Sequence, residues 1–186
     1  MIRDIVNAKD PRLRVTSKPL KKIDKKIREL INDLKETLDV QNDPEGIGLA
    51  APQIGKNVRV FVMKPHEEIR TVINPRILKI YESSTDKPLK KKPGKHKKGK
   101  KDKKIMEGCL SLPHFYGPIA RAKKVTIEYL DENGEKKSQT FVGLEAQIVL
   151  HEIDHLDGKL FIDRLIEQKK PLFEYKNGEW EEVDLL

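Results

Sequence analysis

The chain has 186 residues, 37% of them charged, and a single cysteine. That length suits one domain with one core, and one cysteine excludes an internal disulfide framework and fits a reducing compartment. No run nears the roughly 20 apolar residues of a membrane span, and Met1–Val6 lacks the apolar run of a secretory signal, so a soluble, cytoplasmic protein is expected. The formal net charge of +8 belongs to one segment: residues 86–104 hold eleven lysines and two aspartates, net +9, which leaves −1 elsewhere. The basic balance therefore does not predict a nucleic-acid-binding domain; any such argument rests on that segment alone.

In chain order, Ile23, Ile27, Leu30, Ile31, Leu34 and Leu38 recur at helical spacing and predict an amphipathic helix over 23–40, closed by Pro44 and Gly46. Val58–Met63 reads as a strand, and Thr71–Asn74 and Ile77–Tyr81 as two more, separated near Pro75. Residues 83–104 carry too little apolar surface to offset their ordering entropy and are expected to form a flexible surface insertion. Val125–Leu130 and Lys136–Val142 flank Asp131-Glu132-Asn133-Gly134, a hairpin signal. A helix over 144–156 follows, ending at Gly158. Leu172–Tyr175 and Trp180–Val183 flank Asn177-Gly178 and predict a second hairpin within 171–186. No internal repeat is visible.

The 144–156 helix carries His151-Glu152-Ile153-Asp154-His155. Residues four apart share a helix face, so His151 and His155 can hold one metal ion, and Glu152 between them can act on a water beside it. Leu144, Ile148, His151 and His155 fall on one stripe, which sets the histidines where an apolar face meets the core or a pocket. A catalytic site of this kind wants a third protein ligand and an open position. The zinc-protease pattern would supply a histidine at 161, where this chain has Phe161; Glu174 is near the distance of another pattern but lies in the predicted hairpin. Cys109 remains, although a lone cysteine is more often a small core residue.

Three blocks now stand in order: Gly46-Ile47-Gly48-Leu49-Ala50-Ala51-Pro52-Gln53, Glu107-Gly108-Cys109-Leu110-Ser111, and His151 to His155. Together they resemble the three signature motifs of peptide deformylase. Leu112-Pro113, Arg121 and Gly158 to Asp163 extend the resemblance, which covers about residues 1–166. It implies a single-domain α+β fold with antiparallel sheets around the metal-bearing helix, and removal of formate from N-formylmethionine of new polypeptides. Cys109, His151 and His155 would hold one divalent ion, ferrous iron first, with zinc, nickel or cobalt as alternatives. Glu152 would be the general base and acid, and the Gln53 side chain and the Leu110 backbone N–H would stabilise the oxyanion. The peptide would lie extended against Gly46, Ile47 and Gly48. Ile47, Leu144 and Ile148 would line the methionine pocket, with Glu107 and Gly108 beside it.

Asp154 either orients a ligand histidine or pairs with Arg121, and the sequence leaves both open. Leu150 stands where the family usually has glutamine, so local hydrogen bonding is expected to differ. The lysines of 86–104 suit contact with ribosomal RNA, whereas the acidic tail (Glu181, Glu182, Asp184) does not. A monomer without membrane association is expected. Two rivals are a zinc peptidase with a third ligand other than Cys109, and a non-catalytic ribosome- or RNA-binding relative.

Overall fold

The computed structural model describes residues 1–42, 45–81 and 106–184. The first helix, α1 (Lys25–Asp39), falls inside the expected range, with the Asp24 carboxylate capping the Ile27 N–H at 3.1 Å. Its apolar face buries Ile31, Leu34 and Leu38 against β1 (Gly48–Ala50) and β2 (Val60–Met63). Pro44, and the lysine-rich insertion expected at 83–104, lie outside the described residues.

One correction concerns Pro75. The two strands expected around it are one continuous strand, β3 (Arg70–Tyr81), whose pairing shifts register between Ile73 and Arg76 and again between Ile77 and Lys79. At the first bulge the ladder needs no donor, so the missing proline N–H costs nothing there. Asn74, at φ 50°, instead turns its side chain to bond both the N–H and the C=O of Leu20, each at 2.8 Å.

β4 (Glu107–Cys109), β5 (Leu112–Gly117), β6 (Lys124–Leu130), β7 (Lys136–Val142), β8 (Leu172–Lys176) and β9 (Glu179–Val183) complete two antiparallel sheets. The five-stranded sheet runs β1-β2-β3-β6-β7 and the four-stranded one β4-β5-β8-β9. Both hairpins expected from the sequence are present, and the C-terminal one docks on β5.

Between the sheets lies α2 (Leu144–Leu156), which starts and ends where the sequence places it. It buries residues on every face, Ala146 and Val149 as well as His151, Glu152 and His155, so its polar groups must find partners inside the protein. Gly158, at φ +74°, ends the segment; a Cβ there would lie 2.6 Å from the Arg14 carbonyl oxygen. A third helix, α3 (Phe161–Gln168), was not expected. Its signal was Asp163, whose carboxylate reaches back to the Leu160 N–H at 2.8 Å, followed by buried Leu165.

Candidate active site

Two short elements bring the polar residues together. β4 supplies Glu107 and Cys109, and one turn of α2 supplies His151, Glu152 and His155. Cys109 Sγ lies 3.2 Å from His155 Nε2, and one ligand atom from each of Cys109, His151 and His155 fits within 4.8 Å of the other two. Neighbouring S and N ligands of a tetrahedral ion are roughly 3.5 Å apart. The His151 and His155 rings meet edge to face, with centroids 4.9 Å apart.

The surroundings hold these groups in place. His151 Nδ1 bonds Glu107 Oε1 at 2.7 Å, which leaves Nε2 for an ion. Arg121 donates to both Glu107 oxygens, at 2.6 and 2.7 Å, and to Asp154 Oδ2 at 2.8 Å. Arg164 closes the row on Asp154 at 2.5 and 3.0 Å. Of the two roles left open for Asp154, the ion pair is the one observed, and Glu107 is the carboxylate that faces a histidine. Gln147 adds a bond to Glu107 Oε2 at 3.1 Å. Arg164 and Gln147 were not foreseen, because neither stands in a motif.

Charge follows this geometry. Burial pushes the Cys109 thiol up, but the His155 and His151 imidazoles outweigh it and bring its pKa down to about 5. Burial would lower His151, yet Glu107 beside it raises its pKa well above the usual value; an ion held by this ring would have to displace that proton. Glu107 is itself held low by His151 and Arg121 against the opposing effect of burial. For Glu152 burial outweighs the pull of His151 and His155 and lifts its carboxyl to about 7, and its Oε2 meets no hydrogen-bond donor among the described residues.

A cavity of about 190 Å³ opens over this group. Ile47, Gly48, Gln53, Glu107, Gly108, Cys109, Leu110, Leu144, Ile148, His151 and Glu152 all line it. Gln53 accepts from the Ala50 N–H at 2.8 Å and so aims its amide at Ser111 Oγ (3.2 Å) and Cys109 Sγ (3.5 Å). Gly48 also faces a side chain of its own protein. A Cβ there would lie 2.3 Å from Glu152 Oε1, so the missing side chain admits a carboxylate. Gly46 is outside the cavity lining and packs on Gln41 and Leu38. Leu150 packs against the core of the five-stranded sheet. Phe161 is buried at the start of α3 and Glu174 sits in β8.

Fold and site define a class: an α+β protein whose buried helix sets two histidines and an acid beside a cysteine thiol, as a metal-dependent hydrolase requires. The chain belongs to the polypeptide deformylase family, whose model matches residues 2–171. It is 40% identical over 169 residues to peptide deformylase 2 of Clostridium acetobutylicum, covering 91% of this chain and 99% of that one. Among solved structures, the Thermotoga maritima peptide deformylase is 34% identical with a TM-score of 0.71, covering 88% of this chain and 97% of that one. The Synechococcus elongatus enzyme in complex with actinonin is 33% identical with a TM-score of 0.70, covering 87% and 78%.

Proposed function

We propose that this protein hydrolyses the N-formyl group of newly made polypeptides, releasing formate, around one divalent ion held by Cys109, His151 and His155. The observation that carries the reading is the meeting of that Cys-His-His group, two of whose members (Cys109 and His151) line the cavity, with the buried Glu152 carboxyl on the same cavity, whose Oε2 has no partner among the described residues. The donor set fits an ion: a thiol already lowered to about 5, and a histidine oriented by Glu107. When bound, the ion supplies Lewis acidity toward water and the formyl oxygen.

The chain's own groups do the rest. Glu152, lifted to about 7, takes a proton from the attacking water and delivers it to the departing amine. The Gln53 amide and the Leu110 backbone N–H donate to the oxygen that gains charge. β1 is an edge strand, and Ile47 and Gly48 at the cavity take the peptide in extended form. Ile47, Leu144 and Ile148 enclose the methionine side chain. Glu107 lines the cavity, but its carboxylate is committed to His151 and Arg121, which gives it a positioning role.

The family is metal-dependent, and ferrous iron is our choice of ion, ahead of zinc, nickel and cobalt. We assign the chain to the cytoplasm, as a monomer with one catalytic domain. The lysines of 86–104 are the part suited to ribosomal RNA; replacing them with serine is expected to weaken ribosome binding and its salt dependence. The decisive experiment is formate release from formyl-Met-Ala-Ser by anaerobically iron-loaded protein, beside Cys109→Ala and Glu152→Ala. Wild-type turnover is expected, with Cys109→Ala losing metal and Glu152→Ala keeping metal without turnover. No release from metal-replete wild type refutes the function.

A further inference from the structure

The family match ends at residue 171, so the β8–β9 hairpin lies beyond it. The hairpin is nonetheless built into the sheet that carries Cys109, with β8 on β5 and β5 on β4. The register decides which side chains share a face. Gly108 opposes Tyr116, Tyr116 opposes Phe173, Phe173 opposes Glu182, and Tyr175 opposes Trp180. All six therefore point to one side of the sheet. The other side, with Phe115, Leu172 and Val183, packs with α3 residues Phe161 and Leu165.

The first face is continuous with the cavity, because Gly108 and Tyr116 both line it. From there the rings run outward: Trp180 stands edge-on to Tyr116 at 5.3 Å and against Tyr175 at 4.8 Å. Trp180 is 51% exposed and Tyr175 42%. Residues 172–184 carry five carboxylates and one lysine, with Glu182 on the aromatic face itself. By the same register Glu174, Glu179 and Glu181 lie on the other face, and an aromatic face that carries a carboxylate at Glu182 suits a cationic side chain on an apolar stem. Three strand spacings separate Gly108 from Trp180 and Glu182 on β9, about 14 Å, which is about four residues of extended peptide, or three with the reach of a long side chain.

From this geometry we infer that the C-terminal hairpin forms a subsite for the substrate polypeptide downstream of formylmethionine, selecting a lysine or arginine at its third or fourth residue. The inference rests on the deformylase reading above. Trp180 supplies the ring face and Glu182 the opposite charge, and neither touches the Cys-His-His group.

The test compares formyl-Met-Ala-Ala-Lys with formyl-Met-Ala-Ala-Glu, and formyl-Met-Ala-Lys with formyl-Met-Ala-Glu, at low ionic strength. Formyl-Met-Ala, too short to reach the hairpin, is the reference. For full-length wild type, kcat/KM is expected to favour lysine about three- to tenfold, expressed in KM. Trp180→Ala is expected to remove most of that preference, Trp180→Phe to keep most of it, and Glu182→Lys to abolish or invert it, while all turn over formyl-Met-Ala like wild type. A lysine-to-glutamate ratio unchanged in Trp180→Ala and Glu182→Lys overturns the inference. So does a loss of equal size on formyl-Met-Ala, which would mean that the hairpin acts through the fold. No formate from formyl-Met-Ala with wild type would instead bring down the underlying reading.

Discussion

Replacing Gly48 with alanine is expected to disable the enzyme without altering Cys109, His151 or His155. The added Cβ would lie 2.3 Å from Glu152 Oε1, 2.9 Å from its Cδ and 3.0 Å from Ile148 Cγ2, whereas ordinary contact begins at 3.4 Å. Relief takes a displacement of about 1 Å, and the space open to Glu152, 3% exposed, is the cavity that it shares with Gly48, so the carboxylate is driven off its place beside Cys109 and the two histidines. Overpacking of this kind costs about 1–3 kcal/mol. At roughly 2–4 °C per kcal/mol for a chain of this size, Tm falls by about 2–12 °C. With Glu152 in its proposed role, displacement by that distance is expected to cost about 100-fold in rate. The assay is kcat/KM for formate release from iron-loaded protein, with metal content and a thermal melt on the same sample. A second arm isolates the cause: in Gly48→Ala/Glu152→Ala the clashing carboxylate is gone, so most of the Tm loss relative to Glu152→Ala alone disappears. Wild-type kcat/KM and Tm in Gly48→Ala would refute the reasoning.

Arg121→Met leaves two buried carboxylates, Glu107 and Asp154, without their shared partner, and is expected to cost about 3–5 kcal/mol in urea unfolding; a loss within the scatter of surface substitutions would contradict the row of ion pairs. Glu107→Gln keeps an acceptor for His151 but removes the charge, and about 10–100-fold weaker metal binding is expected in chelator competition. Asp154 resists burial through Arg164 and Arg121, which hold its carboxyl below the ordinary 3.8. A carboxylate with a depressed native pKa contributes stability that is complete above the unfolded value and lost as pH falls through the native one. The unfolding free energy of Asp154→Asn is therefore expected to decline less steeply than that of wild type below about pH 4, and equal slopes would count against the pairing.

How far the sequence could be read depended on whether the partners were neighbours along the chain. The α2 helix and the face shared by His151 and His155 follow from a four-residue spacing, and both are where the sequence places them. α1 follows from six apolar residues at helical period. β4, by contrast, has three residues, too few for any alternation to register, and only the motif around Cys109 drew attention to it. The ion-pair row from His151 to Arg164 joins β4, the segment after β5, α2 and α3, and no local pattern encodes such a meeting. Gly48 was visible as a glycine, but what approaches it is a side chain from 104 residues later. Pro75 misled because a proline in a strand ordinarily ends it, and the bulge that excuses it is a property of the paired register.

The pairing of β4 with one turn of α2 is a match between two rulers. Along a strand, residues two apart advance about 6.6 Å and face the same way; along a helix, residues four apart advance about 6 Å on one face. Glu107 and Cys109 are thus spaced like His151 and His155, and Glu107 reaches His151 where Cys109 reaches His155. The two scales agree over this single step and drift apart beyond it, so the register cannot slide. One residue inserted into β4 would turn the thiol away from the imidazole, and one inserted into α2 would rotate a histidine off the shared face by about 100°. The chain can lengthen in its loops, but at this point it tolerates no change of count.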